Sequence, residues 1–257
     1  MSPKNLIAST ILKTKSENSE VTLERMPLSF RVILIEPLYS GNVGSVARVM
    51  KNFGFPELVL VSPCELDVKA RVMAVHAYDI IENARIEFSL RDAVMGSNIV
   101  VGMTGNPGKT DNKHMRLPAL APGRLKEKLT GAGGIISLVF GKEDHGLSND
   151  DLEMCDVIVN IPTSPEYPSM NLSHAVSVVL YELSDTRGGT TYLADHFDLD
   201  LLYEHIDEVL NDIEYKEHKE NKTKLMLRRI LGRAELTGRE VQTLRGVLRR
   251  IQWKLNK

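Results

Sequence analysis

Three stretches of this 257-residue sequence gather side chains that could do chemistry: "EPLYSGNVGSVAR" (36–48), "GKEDHGL" (141–147) and "PTSPEYPSMNLS" (162–173). In the first, Arg48 stands among small and aliphatic residues. A guanidinium in such a setting needs a partner. It can pair with Glu36 or Glu143, or it can hold an anion, for which arginine's bidentate fork suits phosphate. The residue types leave both readings open. Asn42 reads as the cap of a helix, Gly44 and Ala47 as small residues for close packing, and Asn171 as a second helix cap. Glu143 lies between two glycines, and Ser169 and Asn171 precede an apolar helix. Two familiar phosphate motifs fail here. In "TGNPGKT" (104–110) a P-loop would need glycine at position 103, which is Met103, and Gly41 and Gly44 do not make a G-x-G-x-x-G fingerprint.

These stretches need a scaffold that brings them together. Val- and Ile-rich runs at 31–37, 57–63, 98–104, 135–143 and 157–162 are continuously apolar, as strands buried on both faces should be. Helical segments are expected at 43–53, 67–84, 89–96, 118–130, 148–154 and 171–185, with capping signatures at "SLRD" (89–92) and "SNDD" (148–151). This alternation predicts an α/β fold whose mostly parallel sheet carries helices on both faces. In such a sheet ligands sit outside the carboxyl ends of the strands, where all of the stretches above fall. The helix from Asn171 is apolar on more than one face, so it is either deeply buried or shared with a second subunit, with His174 and Tyr181 as core or interface groups.

The predicted domains are a flexible tail (1–29), an α/β domain (30–185), a turn-rich linker (186–196) beyond which the strands stop, and a helical extension (197–257). The last helix opens at "TGRE" (237–240), a capping box, and repeats Val241, Leu244, Leu248, Ile251 and Leu255 on one side. Arg245, Arg249 and Arg250 flank that stripe. Net charge is −2, yet residues 222–257 hold eleven basic residues against Glu235 and Glu240. A block of +9 on a body of −11 suits a partner with a phosphate backbone, and Arg245, Arg249 and Arg250 are the candidate phosphate contacts. The bland alternative is a solvated helix face. No apolar run is long enough to span a membrane. Cys64 and Cys155 lie far apart, no metal-ligand spacing occurs, and a reducing cytoplasm is expected.

The three stretches, in this order and spacing, resemble the SpoU group of SPOUT RNA 2′-O-methyltransferases. The first motif, N-x-G-x-x-A-R, is present as Asn42, Gly44, Ala47 and Arg48. The second, G-x-E-x-x-G-L, is present as Gly141, Glu143, Gly146 and Leu147. The third is carried by Ile161, Pro162, Ser169, Asn171, Leu172 and Ser173. The end of the chain is similar to the helical extension of TrmJ-type tRNA enzymes, which act at position 32 of the anticodon loop. The resemblance implies a homodimer with a C-terminal trefoil knot in its α/β domain. It implies S-adenosylmethionine held by Thr104, Gly105, Asn106, Gly141, Ile161, Pro168, Ser169 and Met170. It makes Arg48 the central catalytic group and RNA contact, with Asn42, Glu143, Ser169 and Asn171 around it. An rRNA enzyme of the same group and a non-catalytic dimeric RNA-binding protein are the alternatives. The second needs no polar groups on three separate loops.

Overall fold

The computed structural model describes residues 27–105, 116–215 and 217–257. Its sheet grows from the apolar runs because each carries two different faces. In β1 (Leu28–Ile35), Val32 and Leu34 point into one core and Ile33 and Ile35 into another. The same alternation runs through β2 (Glu57–Val61), β4 (Ile99–Thr104), β6 (Ala132–Phe140) and β7 (Val157–Asn160). A strand buried on both faces needs an apolar residue at nearly every position.

On the first face lie α1 (Ser40–Phe53), α2 (Val68–Ala74), α3 (Tyr78–Glu82), α5 (Pro122–Leu129) and α7 (Leu172–Leu183). On the second lie α4 (Leu90–Ala93) and α6 (Asn149–Met154). The order is β3-β2-β1-β6-β4-β7-β5, with β3 at Arg85–Glu87 and β5 at Ala119–Leu120. All of these pairs are parallel. The register pairs Ile35 with Val61, Leu34 with Phe140 and Thr104 with Asn160. The strands therefore end along one edge, and the connections after β1, β4, β6 and β7 leave from it.

Several expectations need correction. The helix expected over 67–84 is three pieces, because Val75 takes a φ of 55° that no continuous α-helix contains. In 118–130 the helix begins only at Pro122, after edge strand β5. A two-residue strand, β8 (Thr191–Tyr192), pairs with Ala132 and Gly133 of β6, so part of the segment expected as a linker is tied to the sheet.

The extension consists of α8 (His196–Asp212), α9 (Glu217–Gly232) and α10 (Gly238–Leu255). The capping box is present, Thr237 accepting from the Glu240 amide and Glu240 from the Thr237 amide. The apolar seam of α10 docks for only half its length. Val241, Leu244 and Leu248 pack with Leu199, Leu202 and Tyr203 of α8, whereas Ile251 and Leu255 stay exposed. The basic block is also divided. Arg229 is buried and donates to the carbonyls of Leu152 and Cys155, and Arg228 pairs with Asp156 and Asp200, so both serve the interior.

Candidate active site

Glu143 joins the connections that carry the candidate groups. Its carboxylate accepts from the amides of Leu38 (2.9 Å) and Tyr39 (3.4 Å), which lead into α1, and from Nδ2 of Asn42 (2.9 Å). Asn42 Oδ1 in turn accepts from Nδ2 of Asn171 (3.3 Å). Asn171 also caps α7, its Oδ1 accepting from the Ser173 amide (2.9 Å). A single chain of hydrogen bonds thus links the connections after β1, β6 and β7. The cap expected of Asn42 is not made. Helix α1 begins earlier, at Ser40, with Tyr39 in the capping position, which leaves the Asn42 amide free to face Glu143.

Two concavities meet at this chain. One is lined by Thr104, Gly105, Gly141, Ile161, Pro168 and Met170, six of the eight residues expected around a cofactor. Its remaining wall includes Met103, Phe140, Val159, Leu172 and Ala175, which sequence reasoning did not single out because strand and helix core residues look alike whether or not a cleft opens beside them. Ser169 borders the neighbouring groove instead, with Asn42, Asn171 and Glu143. Asn106 lies outside the described residues. A slot with apolar walls and polar atoms at its rim has the character of a site for a nucleoside-like ligand.

The loops around the slot are tightly made. A side-chain carbon on Gly141 would come within 2.1 Å of the Gly146 carbonyl carbon, and Gly146 has a φ of 70°. The turn they form is closed by the Gly146 amide donating to the Lys142 carbonyl (2.9 Å). Asn160 Nδ2 donates to the Thr104 carbonyl (2.8 Å), and the Thr163 hydroxyl to the Pro168 carbonyl (3.2 Å). Lys142 is drawn to Glu36 (2.5 Å), whose hydrogen bond holds the ammonium above its ordinary pKa. Helix α1 can lie close to α2 because Gly44 has no side chain: a carbon there would meet the Ala70 carbonyl oxygen at 2.2 Å.

The ion-pair reading of Arg48 does not hold. Glu36 is engaged by Lys142, Glu143 by the α1 amides and Asn42, and Arg48 is exposed with no ion pair among the described residues. Gly41, Ser45 and Arg48 follow one another on one face of α1, and the first two border the groove. His174 and Tyr181 are exposed rather than core groups, although Tyr181 meets Phe53 edge-on at 6.0 Å. Among the described residues no cluster of three or more His, Cys, Asp or Glu could hold a metal ion.

The SpoU rRNA methylase family model matches residues 29–181, and the tRNA methyltransferase TrmJ C-terminal domain model matches residues 197–257. The chain belongs to the SpoU methylase family. A relative in Methanocaldococcus jannaschii, tRNA (cytidine-2′-O-)-methyltransferase TrmJ, is 40% identical over 227 residues, covering 85% of this chain and 98% of that one. The Salmonella typhimurium tRNA (cytidine/uridine-2′-O-)-methyltransferase TrmJ is 35% identical, covering 87% and 96%. Among solved structures, TrmJ from Z. mobilis superposes with a TM-score of 0.71 at 28% identity, covering 86% of this chain and 98% of that one. A probable methylase family protein from Haemophilus influenzae gives 0.57 at 30% identity, covering 88% and 97%.

Proposed function

We propose that this protein is an S-adenosylmethionine-dependent tRNA ribose 2′-O-methyltransferase acting at position 32 of the anticodon loop. The observation that carries this reading is the Asn171–Asn42–Glu143 chain, which places three separate connections around the boundary between an apolar slot and an open groove. The slot suits the cofactor: Thr104, Gly105, Gly141 and Met170 would offer polar atoms at its rim, and Met103, Ile161, Leu172 and Ala175 the apolar surface. When bound, S-adenosylmethionine supplies an electrophilic methyl group on a sulfonium centre.

The chain's own residues then have to position the acceptor. Arg48 holds the phosphate next to the target ribose and stabilises the 2′-oxygen as it gives up its proton. The guanidinium is not the base, since it stays protonated in proteins; the proton leaves to that phosphate or to water. Asn42 and Asn171, fixed through Glu143, shape the groove in which the ribose lies, and Ser169 offers a hydroxyl at the same wall. In this reading residues 30–185 do the chemistry, residues 197–257 engage tRNA, and a second copy packs on the exposed side of α7 at Val178 and Tyr181. The knot belongs to the same proposal, as does a cytoplasmic location. No helix among the described residues is long and apolar enough to cross a membrane.

Nucleoside mass spectrometry of tRNA incubated with the protein and S-adenosylmethionine tests this directly. A 2′-O-methylated pyrimidine mapping to position 32 is expected. Methylation of rRNA alone overturns the substrate, and tRNA binding with no methylated product overturns the enzyme. The extension has its own signature. Arg249 and Arg250 are exposed and Arg245 half-buried along α10. Replacing all three with glutamine should flatten the slope of log affinity against log salt by about three phosphate contacts' worth. An unchanged slope would remove these arginines from the RNA interface.

A further inference from the structure

Methylating a ribose inside an RNA loop requires that its nucleotide be unstacked and held still, and the residues placed so far address only sugar and phosphate. Two aromatic rings border the same groove as Asn42, Ser169 and Asn171. Tyr39 is 63% exposed and Tyr167 79% exposed, and they come from different connections. Both have fixed backbones. The Tyr39 amide donates to Glu143, and the Tyr167 amide donates to the Ser164 carbonyl (3.1 Å) in a segment stiffened by Pro165 and Pro168. Among the described residues neither ring meets another ring or a cation. Two large apolar faces on rigid stems, left open at a polar groove, are what unstacked bases bind.

We propose that Tyr39 and Tyr167 are stacking platforms for the target nucleobase and its neighbour. The inference rests on the groove being the RNA site of the proposed methyltransferase. Stacking accepts any base, because every base has a π-face, so this pair holds the nucleotide without choosing it.

The test uses the full chain, an unmodified tRNA transcript and S-adenosylmethionine, with Tyr39→Ala, Tyr39→Phe, Tyr167→Ala and Tyr167→Phe. Each alanine variant should lose on the order of tenfold in kcat/KM, while each phenylalanine variant, which keeps the ring, stays near wild type. S-adenosylmethionine affinity by calorimetry and the sedimentation of every variant should be unchanged. Alanine variants at the wild-type rate overturn the proposal. So do phenylalanine variants that fall as far as alanine, or losses that track dissociation of subunits, which would make the rings part of a protein contact. If the wild type binds tRNA but transfers no methyl group, the methyltransferase reading fails by itself. The stacking proposal is then decided by tRNA affinity, which the alanine variants must weaken.

Discussion

Arg48→Ala should lower kcat for tRNA methylation by about 100- to 1,000-fold, the scale of removing one preorganised donor from a developing oxyanion. It should leave S-adenosylmethionine affinity unchanged. The first half follows from what the guanidinium is free to do. Its two candidate carboxylate partners are otherwise engaged, so the side chain is not a strut of the fold. Helix side chains lean toward the helix N-terminus, and the N-terminus of α1 is where Tyr39, Gly41 and Asn42 border the groove. The second half follows from the lining of the slot, in which Arg48 has no place. Arg48→Lys keeps a charge but loses the bidentate fork, and should recover only part of the rate. Calorimetric titration of cofactor beside a tritium-transfer assay separates the two parameters. Turnover of the alanine variant at the wild-type rate would overturn the role, and loss of cofactor binding would relocate it.

The sheet was legible where strands are buried on both faces, because that environment demands an apolar residue at nearly every position, as in β1 and β2. Strands of two or three residues set up no such pattern, so β3, β5 and β8 could not be read; Thr191 and Tyr192 become a strand only because β6 lies beside them. The candidate site shows a similar division. Asn42, Glu143 and Asn171 are recognisable by motif, but a hydrogen bond between residues 101 positions apart leaves no trace in spacing. Physical reading alone gave Asn42 a helix cap it does not make, since capping is decided by where the helix starts and Tyr39 holds that place. In the basic block, Arg228 and Arg229 look like residues of a wet helix face. They are interior groups because the carbonyl end of α6 and the Asp156 carboxylate lie opposite them, which no local pattern in α9 discloses.

That same contact carries the largest expected effect on stability. Asp156 is fully buried just before β7, and its carboxylate has a partner on every side. Oδ2 accepts from the Val100 amide of β4 (2.9 Å). Oδ1 accepts from the Tyr203 hydroxyl of α8 (3.3 Å) and from Arg228 of α9 (3.4 Å). Burial, and then the carboxylate, hold the Tyr203 phenol above its ordinary pKa, so it stays a donor. Arg228 lies over the Tyr203 ring (4.2 Å to its centroid) and donates also to Asp200 (2.8 Å) and the Met154 carbonyl (3.1 Å). Gly232 ends α9 against the same residue; a side-chain carbon there would meet the Asp156 Cβ at 2.6 Å. Asp156→Ala would remove a group shared by the sheet and two helices of the extension, leaving a buried amide and a largely buried guanidinium short of an acceptor. Breaking a buried pair from one side costs about 3–5 kcal/mol. Urea unfolding should show that loss, and limited proteolysis should cut within the extension first, since the sheet keeps its own two cores. Asp156→Asn keeps an acceptor for Arg228 or Val100 but not the charge, and should fall between. An alanine variant within about 1 kcal/mol of wild type would mean that neighbouring groups satisfy Arg228 without Asp156, and that the extension is held by its apolar contacts alone.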